Sequence, residues 1–181
     1  MKYRKVEIFT GQGFRVPEGI QRVDHRSTHG WQLRYGTWKM FSDFSSDGSG
    51  AKAALELATQ ELMRRIARLP APSGLRREAA ESKSNDLPVG VCGPVVRLRK
   101  GRRVPECSFS VTIPRFGAKP TNKNVYIATQ TTYTPEKYEA ALSKAIALRA
   151  NAEKAFQGAA TRAKRAAAGT REQPTRRGAR S

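Results

Sequence analysis

The sequence predicts an α+β protein built as two tandem modules, each a three-stranded antiparallel sheet packed on one C-terminal helix, followed by a disordered basic tail. Three observations predict it. Short segments alternate apolar and polar residues with the period of a strand. Two longer segments carry apolar residues at steps of three and four, the period of an amphipathic helix. The order of strands then helix occurs twice, over residues 17–69 and 88–156.

Residues 1–16 place Tyr3, Val6, Ile8 and Phe9 among Lys and Arg and break at Gly11 and Gly13. They read as an extra edge strand or an ordered arm. Gly11 and Gly13 make no phosphate loop, because neither a Walker lysine nor a helix follows. The first module opens with Gly19-Ile20-Gln21-Arg22-Val23. In Trp31-Gln32-Leu33-Arg34-Tyr35 the alternation puts Trp31, Leu33 and Tyr35 inward and Gln32 and Arg34 outward. Gly36-Thr37 suits a tight turn into Trp38-Lys39-Met40-Phe41, where Trp38 and Met40 compete with Phe41 for the interior. A Ser/Gly/Asp loop follows, with Asp47 or Ser49 expected to cap the next helix. That helix spans 51–69, and its buried stripe is Leu55, Ala58, Leu62, Ile66 and Leu69.

Residues 70–87 are a Pro-bounded linker, with 75–83 able to form a short solvated helix. The second module repeats the plan. Val96 and Leu98 face in, Arg97 and Arg99 out, and Gly101 with Arg102 and Arg103 turns the chain. Cys107, Phe109, Val111 and Ile113 alternate inward against Ser108, Ser110 and Thr112 outward. A basic loop with Arg115, Lys119 and Lys123 leads to a third strand at Val125-Tyr126-Ile127-Ala128. Thr134-Pro135-Glu136 marks a helix start, with a cap, a first-turn proline and an acid. The helix is expected to reach about residue 156. Residues 157–181 hold Lys164 and six arginines against the single acid Glu172, and too few large apolar residues to bury a core.

The repeat is legible in register. Pro17-Glu18-Gly19-Ile20 returns as Pro88-Val89-Gly90-Val91, and Ala53-Ala54-Leu55 with Ala58 returns as Ala140-Ala141-Leu142 with Ala145. The second copy is longer in its hairpins.

Composition narrows the function. The chain has 34 Lys and Arg against 15 acids, a formal charge of +19 over 181 residues. Such an excess points to a polyanionic partner. No apolar run approaches the ~20 residues that span a bilayer, and the N-terminus has no signal-peptide core. Cys92 and Cys107 alone cannot build a disulfide framework or a Cys-rich zinc site, so a reducing cytoplasm is the expected address. His25 and His29 in Asp-His-Arg-Ser-Thr-His are too few for a metal or nuclease site. No catalytic residue, metal or cofactor is expected.

The run Gly19-Ile20, Trp31 to Arg34, Lys39 to Ser42 and Gly48-Ser49-Gly50-Ala51-Lys52-Ala53-Ala54-Leu55 resembles the APETALA-type DNA-binding domain of plant ethylene-response factors and phage integrase arms. The second copy matches more loosely and lacks the tryptophan of the second strand. The resemblance implies a sheet, rather than a helix, laid in the major groove. Carried over by position, the contacts fall on Arg22, Gln32, Arg34 and Lys39 in the first copy and on Arg97, Arg99, Ser110, Thr112 and Arg115 in the second. Arg102, Arg103, Lys119 and Lys123 add positive charge around the second face. The chemistry suits these types: Arg pairs with guanine acceptors, Gln with adenine, and Ser or Thr with phosphate or base. The expectation is a non-enzymatic protein of the nucleoid that binds duplex DNA, a transcriptional regulator or nucleoid-associated protein. RNA or ribosome binding, or service as an accessory factor of a mobile element, are the alternatives.

Overall fold

The computed structural model describes residues 1–78, 81, 85–101 and 103–169. Among them are three small antiparallel sheets and two helices, an α+β fold. The chain divides into two compact units: Met1–Pro72 joined by the end of the last helix from Ala160, and Ser73–Ala159.

The first unit begins with a hairpin, β1 (Tyr3–Glu7) and β2 (Gly13–Pro17). This hairpin is a sheet of its own and an ordered one, rather than an edge strand of the next sheet. Its turn closes with the amide of Gly11 donating to the carbonyl of Ile8 at 2.8 Å, with Gly11 at φ +83°. Ile8 and Val16 are buried in the core of the unit.

Next come β3 (Ile20–His25), β4 (Thr28–Leu33) and β5 (Lys39–Ser42), paired in that order. Cross-strand partners share a face. The register sets Ile20, Leu33 and Lys39 on one face, with Arg22, Trp31 and Phe41 beside them. Trp31 and Leu33 are fully buried, and the indole of Trp31 donates to the carbonyl of Ala51 at 2.7 Å. Phe41 packs on this core, while Trp38 is exposed and Met40 lies on the opposite face.

Helix α1 (Ala51–Arg68) packs on this inner face through Ala54, Leu55, Ala58, Leu62 and Ile66. Small Ala54 and Ala58 admit the sheet closely. The expected side-chain cap is absent: Gly50 is the N-cap, and the carboxylate of Asp47 instead accepts from the amide of Ser49 at 3.0 Å. Glycine is required at the cap by space, because a Cβ there would lie 1.8 Å from the carbonyl oxygen of Asp43. Leu69, expected in the buried stripe, falls past the last turn and is exposed. At that end Arg65 donates to the carbonyls of Tyr35 and Thr37, tying the helix to the β4–β5 turn.

The second unit holds β6 (Val91–Arg97), β7 (Glu106–Ile113) and β8 (Thr121–Thr129), again paired in order. Its core joins Val91, Phe109, Val111, Val125, Ile127 and Ala128 to Ala141 and Ala145 of α2 (Pro135–Gly169). The predicted helix start stands, with the hydroxyl of Thr134 accepting from the amide of Lys137 at 3.3 Å. Register shifts occur in β6 between Cys92 and Val95, and in the β7–β8 pairing between Cys107 and Ser108. They set Val96 opposite Cys107, on the helix side as predicted. The buried core stops there, so Val96 and Leu98 are exposed instead of packed.

The end of α2 corrects a further expectation. The helix does not stop near residue 156 but runs on to Gly169 through Ala-rich sequence. Its last turns are held within the first unit. The N-terminal ammonium of Met1 donates to the carbonyl of Ala167 at 2.9 Å, Lys164 pairs with Glu18 at 3.0 Å, and Arg165 donates to the carbonyl of Ile66 at 3.2 Å. Residues 170–181 of the basic tail lie outside the described residues. The described part of 70–87 contains no helix or strand.

Candidate nucleic-acid interface

Each three-stranded sheet has one face on its helix and one face turned away from it. The second sheet's outer face is the more polar. Register places Arg97 opposite Glu106, Val95 opposite Ser108, and Cys92 opposite Ser110. On the other side of β7, Ser108 faces Tyr126, Ser110 faces Asn124, and Thr112 faces Asn122. Ser110 and Thr112 therefore stand outward as predicted, and the hydroxyl of Thr112 donates to Asn122 Oδ1 at 3.0 Å. Tyr126 is 54% exposed. Arg97, Arg99, Glu106, Ser108, Asn124 and Tyr126 line a depression of about 320 Å³ on this face.

The charges here are differently committed. Arg99 pairs with Glu106 at 2.9 Å, which neutralises that acid on the face. Among the described residues Arg97 makes no ion pair, and it is exposed. Arg103 is exposed in the β6–β7 connection, while Arg102 lies outside the described residues. Arg115 and Lys119 are exposed in the β7–β8 loop. Lys123 is exposed too, yet its partner Val111 is a core residue, so it belongs to the helix-side face at its edge.

The first sheet departs further from expectation. Gln32 and Arg34 do stand together on the outer side, with Arg34 Nε donating to Gln32 Oε1 at 2.6 Å. Arg22 does not. It sits opposite Trp31 on the inner face, its guanidinium 4.9 Å from the indole centroid. It donates to both carboxylate oxygens of Asp43, at 2.9 and 2.6 Å, and to Asp24. Its side chain is 6% exposed and that of Asp43 is 0%. The physical reason is period two: Ile20 points in, so Arg22 follows it, and two carboxylates with an aromatic ring make burial of the charge tolerable. Burial opposes that charge, yet the hydrogen bonds it donates to Asp43 and Asp24 hold the guanidinium's pKa above its ordinary value. Lys39 also falls on the inner-face register, opposite Leu33. It escapes burial at the strand end, with its ammonium 5.1 Å from the Phe41 ring centroid.

Sequence reasoning missed Gln21, Asn122 and Asn124. Gln21 pairs with Gln32 on the outer face, and its signal was its place between Ile20 and Arg22. Asn122 and Asn124 lie in a stretch taken for loop, and β-propensity gives Asn little weight in a strand.

His25 is exposed at the β3–β4 turn. His29 bonds Asp24 at 2.9 Å and lies 4.3 Å from the Phe9 ring. Among the described residues, no group of three or more His, Cys, Asp and Glu is placed to hold a metal ion, and no helix is long and apolar enough to cross a membrane. No protein-family model, curated protein or solved structure matches this chain.

Proposed function

We propose that this protein binds duplex DNA without enzymatic activity, laying the outer faces of its two three-stranded sheets on the double helix. The observation that carries this reading is the β6–β8 outer face. It offers the exposed guanidinium of Arg97, the hydroxyls of Ser108, Ser110 and Thr112, the amides of Asn122 and Asn124, and an exposed ring, all on a sheet backed by α2. Donor forks and amides of this kind match the base edges of the major groove, and hydroxyls match phosphate. The formal charge of +19 supplies the attraction.

The two sheet units are read as divergent copies of one APETALA-type plan. Several correspondences support this. Gly19 and Gly90 both have positive φ and both precede a buried first strand residue, Ile20 or Val91. The carbonyl of Gly19 accepts from Arg34 at 2.7 Å, and that of Gly90 accepts from Thr112 at 2.8 Å. Trp31 and Phe109 fill the middle strands, and Ala54 with Ala58 corresponds to Ala141 with Ala145. A role in transcription regulation or in the nucleoid follows from this reading.

Titrating the intact chain against a short mixed-sequence duplex by fluorescence anisotropy, over a series of salt concentrations, tests it. The expected result is affinity that falls steeply and log-linearly with salt, because Lys and Arg displace condensed counterions. Binding that is absent at low salt, or unchanged by salt, would count against it. The exposure of Tyr126 favours a second reading, a single strand of RNA stacked on that ring. Competition of structured and single-stranded RNA against the duplex decides between them.

A further inference from the structure

Beside the outer face of the first sheet stands a phenylalanine that folding leaves in water. Phe44 is 94% exposed, so its ring contributes almost nothing to the core. Its φ is +53°, in the left-handed region where a Cβ crowds the backbone. The surroundings over-determine that conformation. The carboxylate of the preceding Asp43 is held by Arg22, and its amide donates to the carbonyl of His29 at 3.0 Å. The Asp43 carbonyl lies so close to Gly50 that no side chain fits between them. Phe44 itself donates its amide to Ser42 Oγ at 3.1 Å, and Ser42 stands on the outer face opposite Gly30. An apolar ring is thus held out by a strained and tightly braced backbone next to the face read above as binding DNA. Strain of this kind gathers where the conformation serves a ligand rather than the fold.

We propose that Phe44 is an insertion residue, its ring wedging against a base step of duplex DNA. This rests on the proposed function above and adds a site and a ligand chemistry to it, the flat apolar face of a stacked base pair. Apolar wedges of this type partly unstack and bend a duplex while basic groups hold its phosphates. The basic excess of the chain favours nucleic acid over an apolar protein groove as the occupant.

The test uses the intact chain and a short duplex with 2-aminopurine at a flexible pyrimidine–purine step. The wild-type protein is expected to raise the probe's fluorescence on binding, by unstacking it. Phe44→Ala should bind about ten-fold more weakly, the loss of one base–aromatic contact, and should leave the fluorescence flat. Phe44→Leu should keep part of both effects. Phe44→Gly should lose the fluorescence change yet raise Tm by about 5 °C, since glycine relieves the left-handed strain. Equal affinity and equal fluorescence for wild type and Phe44→Ala would overturn the proposal. So would an unchanged or lowered Tm for Phe44→Gly, or a loss confined to the single-stranded form of the oligonucleotide. If wild type binds the duplex and Phe44→Ala is indistinguishable, insertion alone fails. If wild type does not bind at all, the DNA-binding reading fails with it.

Discussion

The two sheets meet their helices at the same place with opposite chemistry. In the first unit the glycine before the sheet, Gly19, faces Leu62 of α1, whose methyl would lie 3.5 Å from a Cβ there. In the second, Gly90 faces Arg149 of α2, and a Cβ would lie 2.6 Å from its guanidinium carbon. Leu62 is fully buried, and Arg149 is 8% exposed. Arg149 earns its place by donating to the carbonyl of Thr112 and pairing with Glu153 at 2.6 Å. The outer faces invert this pattern. The first sheet turns Arg22 inside, onto Asp43 and Asp24, and leaves Gln21, Val23, Gln32 and Met40 outside, with Arg34 bonded to Gln32 at the end of β4. The second keeps Arg97 outside, with no ion pair among the described residues. The lesson is that a charge in a sheet pattern means nothing until its partner is known. On the proposed function, the sequence likeness that motivates it lies in the first unit, whereas the side chains that would serve it best lie in the second.

The largest expected effect breaks that contrast at Arg22. Arg22→Ala leaves Asp43 buried without its partner, and should destabilise the first unit by about 3–5 kcal/mol in urea unfolding. A loss below about 1 kcal/mol would mean that Arg22 is an ordinary surface group after all. Arg97→Ala is the mirror experiment. Its stability should change by less than about 0.5 kcal/mol. On the proposed function, where its fork reads a base edge, its DNA affinity should fall by about 1–3 kcal/mol and discrimination at that base pair should relax.

The helix contact comes next. Arg149→Ala removes the donor from the carbonyl of Thr112, and should cost about 1–3 kcal/mol by thermal unfolding. Gly90→Ala should also destabilise, through its φ of +82° and through the guanidinium. Combined with Arg149→Leu, which puts the first unit's side chain type at that position, the Gly90→Ala penalty should shrink to the backbone part. Simple additivity of the two changes would show that the two residues do not share the space.

The smallest effect is acid dependence in the first unit. Hydrogen bonds from Arg64, then Arg65, hold the Glu61 carboxylate down to a pKa of about 2. Its folded pKa lies below the unfolded one, so its contribution is present above the ordinary carboxylate range and is lost as pH falls toward 2. The Glu61 side chain is largely covered, but its partner Arg64 is exposed at the helix surface, so the effect is small and weakened by salt. Glu61→Gln should flatten that part of the stability profile between pH 5 and 2, measured by unfolding at fixed urea.

Much of the fold was legible in the chain. Trp31, Leu33 and Tyr35 were readable as inward because strict alternation over five residues leaves one face apolar. The stripe of Ala58, Leu62 and Ile66 was readable for the same reason at helical period. Arg22 was misplaced because charge was weighed above period, although Ile20 two residues earlier already gave the face. Val96 takes the side the alternation gave it, yet both Val96 and Leu98 are exposed, because alternation says which side a residue takes and not how far the covering helix extends. The length of α2 was misjudged because Ala-rich, Arg-rich sequence is neutral between a solvated tail and a helix until something holds its end. The outward Gln32, Arg34, Arg97, Ser110 and Thr112 were legible; Asn122 and Asn124 were hidden by a register that only pairing defines.

By itself the chain determined its local periods, its turns at Gly11 and Gly36, the start of α2 at Thr134 and its large positive charge, because each depends on neighbours along the backbone. Tertiary structure alone decided which charges are satisfied and which are free. Asp43 lies 21 residues from Arg22, and Thr112 lies 37 from Arg149. The energy of an ion pair or a buried hydrogen bond depends on distance and dielectric in space, and neither can be read from separation along the chain.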